Sequence, residues 1–331
     1  MTRSYIKEIA TYVPERRVSN SELIALIDTD KNYLSDGTLE KLFGIKERRF
    51  AKKDEQVSDL AVGAAKQILD KVDKNEIDFL IFAAACSDLI EPATSNIVQS
   101  KLGLNCPCID LKNACNSVVS AMQAADAYIK AGVYKNILIV CGEKLSDGIN
   151  YQIEDLPHLK RAMASLTLGD AGAALLMSAS EDKSGLYLQK FMTEGSQWGL
   201  CTIKGGGSMF PHDSSKNYFE GKTAELKDAM IDHCKSFVDA ALEQSEWEID
   251  EIDHVITHQV SKQIFNVIAE NTGLERNKII QTFENYGNTA AASIPLAITE
   301  GLKSSKIKKG DKVAIIGLAA GLSVSVQMLI W

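Results

Sequence analysis

The sequence has 331 residues, 45% of them hydrophobic and 24% charged, an ordinary globular balance with room for two domains or one duplicated one. A formal net charge of −8 argues against non-specific nucleic-acid binding. No uncharged apolar run of about 18 residues exists to span a membrane, and MTRSYIKEIATYV carries Arg3, Lys7 and Glu8 where a secretory signal needs an apolar stretch.

Along the chain, five short apolar runs read as buried strands: Ile77–Ala85, Cys108–Leu111, Ile137–Cys141, His254–His258 and Val313–Leu318. Continuous β-branched runs without alternation suit strands covered on both faces. Ser58–Val72 sets Leu60, Ala64, Ile68 and Val72 at helical spacing, with Ser58 as the expected N-cap. The second half repeats this plan. NEIDFLIFAAA (75–85) matches DEIDHVITHQV (250–260), each behind an amphipathic helix. Ile77 precedes the run ILIVCG by 60 residues, and Ile252 precedes VAIIGL by 61. A duplicated α/β domain is expected. Lys204–Ser208, rich in glycine, marks a loop. The seven cysteines lie mostly within apolar stretches, which points to reduced thiols in a cytoplasmic protein.

Cys115 lies in CIDLKNACNSVVSAMQAADAYIKAG, where a short apolar run gives way to Val118, Val119, Met122, Ala125 and Ile129 at helical spacing, closed by Lys130 and Gly132. That puts Cys115 in the first helical turn, where unpaired N–H groups and the macrodipole favour a thiolate. A lowered pKa and a nucleophile for a thioester carbonyl are expected. His258 follows the run HVIT at the C-terminal end of a buried strand, where α/β sheets present functional groups. Asn288 lies in ENYGNTAAASIPLAI, ahead of a small-residue run. A neutral imidazole and an amide can both donate to a thioester oxygen and stabilise a developing enolate.

At these residues the sequence resembles the β-ketoacyl-acyl-carrier-protein synthase III group of the thiolase superfamily, over nearly its whole length. The matching stretches, in family order, are GIKERR (44–49), the Cys115 segment, LGDAGAALL (168–176), THQV (257–260), YGNTAAASIP (286–295) and GLAAGLS (317–323). The resemblance implies a duplicated five-layered α-β-α-β-α fold, with residues 1–178 forming the half that carries Cys115 and 179–331 the half that carries His258 and Asn288. It further implies that Cys115 is acylated from coenzyme A or a carrier protein, that His258 and Asn288 bind the second thioester, and that the backbone N–H groups of Cys115 and Ala320 form an oxyanion hole. No bound cofactor or metal is implied, and a homodimer built through the central strands of the first half is.

Three departures stand out. Relatives usually carry glycine where Leu318-Ala319-Ala320-Gly321 stands here. Glu91 stands just before Pro92, where fatty-acid-initiating enzymes usually lack an acid. Glu91, NAC and HQV instead resemble the head-to-head branch of olefin-pathway enzymes and α-pyrone synthases. There a glutamate from the partner subunit takes an α-proton, as a condensation without decarboxylation requires. The alternative role for Glu91 is a carboxylate at the start of an Ala93–Leu102 helix. Where relatives stack a tryptophan on adenine near Thr29–Ser35, only Tyr33 and Phe43 are available. Basic clusters at Lys46, Arg48, Arg49, Lys52, Lys53 and at Lys303, Lys306, Lys308, Lys309 suggest docking of an acidic carrier.

No P-loop, G-x-S-x-G elbow, dinucleotide fingerprint or paired C-x-x-C site is present. The leading expectation is a Claisen-condensing ketosynthase of fatty-acid or polyketide type, with a malonyl or β-ketoacyl thioester as second substrate. Beside it stand an acyltransferase or thioesterase using acyl-Cys115 without joining carbons, and a non-catalytic partner subunit.

Overall fold

The computed structural model describes residues 3–27, 33–35, 37–182 and 184–331, with backbone only at 223, 224, 230, 232 and 234. The chain opens with β1 (Ser4–Tyr12). A ribbon of β2 (Arg16–Ser19) and β3 (Glu47–Phe50) then brackets two short helices, α1 (Asn20–Ala25) and α2 (Thr38–Phe43). After α3 (Val57–Leu69) come β4 (Phe79–Ala83), α4 (Thr94–Leu102), β5 (Cys108–Leu111), α5 (Ser117–Lys130), β6 (Asn136–Glu143), α6 (Leu156–Ala162) and β7 (Ala171–Ala179).

The second half begins with β8 (Gly185–Thr193), a small ribbon of β9 (Cys201–Ile203) and β10 (Phe219–Gly221), and the long α7 (Thr223–Ser245). It continues through β11 (His254–Thr257), α8 (Lys262–Thr272), β12 (Ile279–Ile280), α9 (Phe283–Tyr286), α10 (Ser293–Lys303), β13 (Lys312–Ala319) and β14 (Ser323–Ile330).

The strands form two five-stranded mixed sheets, ordered β1-β7-β6-β4-β5 and β8-β14-β13-β11-β12. In each, three neighbouring strands run parallel and two more are antiparallel, position for position. The repeat seen in the sequence is thus a repeat of topology: β4 answers to β11 and β6 to β13. The proposed division at 178/179 falls one residue before the end of β7.

Helices α3 and α4 cover the outer face of the first sheet, and α7 and α8 that of the second. Between the sheets lie α5 and α10. Helix α10 is buried along nearly its whole length and touches strands of both sheets, because SIPLAI offers apolar side chains on every face. This is the five-layered α-β-α-β-α arrangement. Two apolar clusters fill the layers, and a third, around Val18, Leu39, Phe43, Leu166 and Phe283, joins α1, α2 and α6 into a cap beside Cys115.

Local details correct the sequence reading. Helix α3 starts at Val57, not after Ser58: Gln56 and Asp59 form a reciprocal capping box, while the Ser58 N–H donates to Asp88 at 3.0 Å. The strand read as Ile77–Ala85 is shorter, β4 covering Phe79–Ala83, and just ahead of it Asp78 turns its carboxylate onto the N–H groups of Lys135 and Asn136. LGDAGAALL is strand β7 packed closely on a helix: a Cβ at Gly172 would lie 2.0 Å from the Leu60 carbonyl. Among the described residues no helix is long and apolar enough to cross a membrane.

Candidate active site

Cys115 sits on the connection between β5 and α5, half-buried and two residues ahead of the helix, whose N-cap is Asn116. Its neighbour Ala114 has φ 46°, a left-handed conformation that costs a β-carbon residue about 1–3 kcal/mol and is seen where a site fixes the backbone. Short hydrogen bonds hold the turn: Ser117 Oγ donates to the Ala114 carbonyl at 2.7 Å and accepts from the Asn113 N–H at 2.8 Å. Two asparagines then bolt it to the other half. Asn116 Nδ2 donates to the Ser323 carbonyl and hydroxyl at 3.1 Å each, and Asn113 Nδ2 to the same hydroxyl at 3.3 Å. Ser323 opens β14 directly after the turn holding Ala320 and Gly321, so Cys115 and Ala320 belong to one cross-braced junction.

The thiol does not behave as a lowered-pKa cysteine. Burial, then the Glu143 carboxylate, then Cys201 push it up from its ordinary value, whereas the sequence led us to expect the opposite. The physical reason is position. Cys115 precedes α5 rather than lying in its first turn, in a pocket that also contains a buried acid.

His258 follows β11 immediately, and its N–H donates to the Ile316 carbonyl on β13 at 3.0 Å. Its ring is buried, and burial lowers its pKa from 6.5 to about 4, so it is neutral across the physiological range. Nδ1 lies 2.8 Å from Ser293 Oγ. That hydroxyl also accepts from the Gln259 N–H at 3.4 Å and is free to donate its own O–H to Nδ1. On this assignment the ring proton is on Nε2. Gln259 braces the same turn: Nε2 donates to the carbonyls of Thr257 and Ile280, and Oε1 accepts from the Thr282 N–H.

Asn288 is fixed through its backbone, its N–H donating to the Thr167 carbonyl at 2.8 Å and its carbonyl accepting from Gly169 at 3.0 Å. Gly287 is required beside it. Its φ is +66°, and an added Cβ would lie 2.5 Å from the Thr167 carbonyl. Asn288 Oδ1 accepts from the Ala290 N–H at 3.0 Å, so the amide's donor end, Nδ2, is what remains for a ligand. Ala290, like Ala114, has a positive φ, 41°.

Other sequence-selected residues lie elsewhere. Arg48 is fully buried: Nη1 donates to Asn20 Oδ1 at 2.7 Å and Nη2 to the Leu166 carbonyl at 3.2 Å. Burial lowers its pKa to about 10. It braces the cap and has no surface to offer a carrier. Arg49 is largely covered, donating to the Pro14 carbonyl and lying over the Tyr286 ring, and Lys46 pairs with Glu284. Of the first basic cluster, Arg48 and Arg49 therefore add no open cationic surface, while Lys52 and Lys53 are exposed. In the second, Lys303 pairs with Glu300 and Lys309 with Asp182. Tyr33 is half-buried against the third apolar cluster, and residues 29–32 of the expected adenine-contacting segment lie outside those described.

Glu91 is exposed, between the strongly exposed Ile90 and the start of α4. The N-terminus of α4 is fixed to β5 by Asp110, whose carboxylate accepts the N–H groups of Thr94 at 2.8 Å and Ser95 at 2.7 Å. Sequence reasoning passed over Glu143 and Ser293. Glu143 is a lone acid ending the apolar run ILIVCG, a signal that was there to be read. Ser293 had none apart from its place in YGNTAAASIP.

Two sheets of matched order around central helices, with functional groups at strand ends between them, define a thiolase-type fold. The comparisons are consistent with it. The chain is 31% identical over 340 residues to the β-ketoacyl-[acyl-carrier-protein] synthase III of Neisseria meningitidis serogroup C, covering 99% of each chain. It is 33% identical over 330 residues to that of Ehrlichia canis, covering 98% of each. Residues 109–195 match the family model 3-oxoacyl-[acyl-carrier-protein] synthase III, and residues 242–331 its C-terminal model. The crystal structure of 3-oxoacyl-[acyl-carrier-protein] synthase III from Aquifex aeolicus superposes with TM-score 0.86 at 29% identity, covering all of both chains. OleA of Xanthomonas campestris shares the fold, with TM-score 0.89 at 24% identity, covering 99% of this chain and 98% of that one. The chain belongs to the 3-oxoacyl-[acyl-carrier-protein] synthase III family.

Proposed function

We propose that Cys115 is the acyl-carrying nucleophile of this ketosynthase and that His258 and Asn288 activate the second substrate. The sulfur attacks a thioester carbonyl, the donor's C–S bond breaks, and coenzyme A or the carrier thiol leaves with the Cys115 proton. The second thioester's carbonyl oxygen then accepts from His258 Nε2 and Asn288 Nδ2. Loss of carbon dioxide from a malonyl group leaves an enolate stabilised by those two donors. The enolate carbon attacks acyl-Cys115 while the backbone N–H groups of Cys115 and Ala320 hold the oxyanion, and the C–S bond to Cys115 breaks. The observation that carries this reading is the pre-set polarity of the two donors: Ser293 occupies His258 Nδ1, and Ala290 occupies Asn288 Oδ1.

The substrates arrive on coenzyme A or an acyl-carrier protein, in the cytoplasm, for fatty-acid or polyketide synthesis. We also propose a homodimer through β5, an edge strand whose middle residues, Ile109 and Asp110, are exposed. The clamping of α4 to β5 favours a second reading of the extender step. With β5 at the interface, the Glu91 segment would lie beside the neighbouring subunit, where Glu91 can serve as base for a non-malonyl chain.

Incubation with a panel of acyl thioesters should raise the intact mass of the wild type by one acyl group and leave Cys115→Ala unchanged. With labelled malonyl thioester, carbon dioxide release equal to product marks the decarboxylative course. Product without carbon dioxide, lost in Glu91→Gln, marks the other. Acylation persisting in Cys115→Ala would refute the nucleophile assignment.

A further inference from the structure

Glu143 ends β6 with its side chain fully enclosed between the two halves, and the chemistry described above does not use it. Its carboxylate joins two otherwise separate parts of the site. Oε1 accepts from the Ala85 N–H at 2.8 Å, at the end of β4, and from the Ala291 N–H at 3.3 Å, in the loop that carries Asn288. Oε2 accepts from the Cys86 N–H at 3.2 Å. A buried charge is tolerated only with such partners, and three backbone donors supply them. Ala85 and Cys86, whose N–H groups the carboxylate holds, pack against the same apolar cluster as Cys115, so the charge bears on its thiol.

Resting on the assignment of Cys115 and Asn288 above, we propose that Glu143 is a positioning residue with two opposed effects: its hydrogen bonds hold the Asn288 loop in place, while its charge disfavours the Cys115 thiolate. The titratable groups around it are the thiols of Cys86, Cys115 and Cys141, with Asp170 beyond Cys86. Burial raises Glu143 itself to about 7, so its charge is present above that pH and fades below it.

The two effects separate experimentally, because a merely structural residue would move both readouts the same way. In Glu143→Gln the charge is gone, and the amide N–H₂ opposes the Cys86 N–H it must face. Iodoacetamide should alkylate Cys115 about threefold or more faster than in wild type at pH 8.5, corrected with Cys115→Ala, while condensation falls about tenfold or more. At pH 6 the two alkylation rates should converge. Glu143→Asp keeps the charge but is one methylene short. It should alkylate at the wild-type rate and lose condensation as Gln does. If Gln does not fold, the wild-type alkylation profile carries the charge effect, its logarithm rising with less than unit slope through pH 7. Alkylation slowed or unchanged in Gln, unit slope throughout in wild type, or full condensation in both variants would overturn the proposal. If wild type forms no condensation product, the function above fails, yet the alkylation arms still decide the charge effect of Glu143.

Discussion

At the scale of single residues, His258 couples function to acid stability. Its folded-state pKa of about 4 lies below the ordinary value of 6.5, so the unfolded chain binds a proton that the folded one excludes as pH falls between these values. The stability associated with neutral His258 is complete above pH 6.5 and declines toward pH 4, by about 3 kcal/mol in all. Glu143 and Asp170, raised by burial to about 7 and about 6, act in the opposite sense, since the folded state holds their protons more tightly. Comparing wild type with His258→Asn removes that shared background. Urea unfolding of the pair should show the wild type losing about 3 kcal/mol relative to the variant between pH 6.5 and pH 4. A constant difference across that window would mean that the imidazole titrates normally and is not held neutral. Cys115, His258 and Asn288 stood out in the sequence because each sits at the boundary of an element in a distinctive segment. What the sequence could not disclose was environment. The expected thiolate shift assumed a helix terminus acting alone, and burial, joined by a buried acid 28 positions further along the chain, acts in the opposite direction.

At the scale of elements, strands were legible where they are continuous and apolar, as in β6 and β13, and their edges were not, because pairing is settled by neighbours. Strands β1, β8 and β14 escaped notice for a related reason. Sequences such as SYIKEIATY and GLYLQKFMT mix charged and apolar residues as half-exposed antiparallel strands do. The contact of α3 with the first sheet depends on two glycines. At Gly142 an added Cβ would lie 2.0 Å from the Val57 carbonyl, which is backbone and cannot rotate aside. Gly142→Ala should therefore lift the start of α3 from β6 and cost about 3 kcal/mol, measured as a lowered midpoint in urea. It should also reduce condensation, since Glu143 is the next residue. An unchanged midpoint would show that the helix can slide without loss.

At the scale of the whole molecule, the first sheet ends in β5, whose outer edge is unpaired among the described residues. Exposed edges invite pairing unless something covers them, and here Leu89 and Ile90 stand exposed on the neighbouring connection. Ile109→Lys should convert the proposed dimer to monomer in sedimentation equilibrium, and should abolish condensation if Glu91 serves the neighbouring pocket. A monomeric wild type would rule out both. The duplicated architecture was legible from spacing because β4 and β6 keep, to within one residue, the separation of β11 and β13. Arg48 was misread because charge in a sequence carries no record of burial.

The matched topology has one more consequence. Overlaying the halves through their parallel strands puts Ala83 where His258 stands and Ala319 where Glu143 stands. Each polar group thus has a methyl as its twin, so the two halves, alike in topology, part company at the two strand ends that carry the site's imidazole and its buried acid.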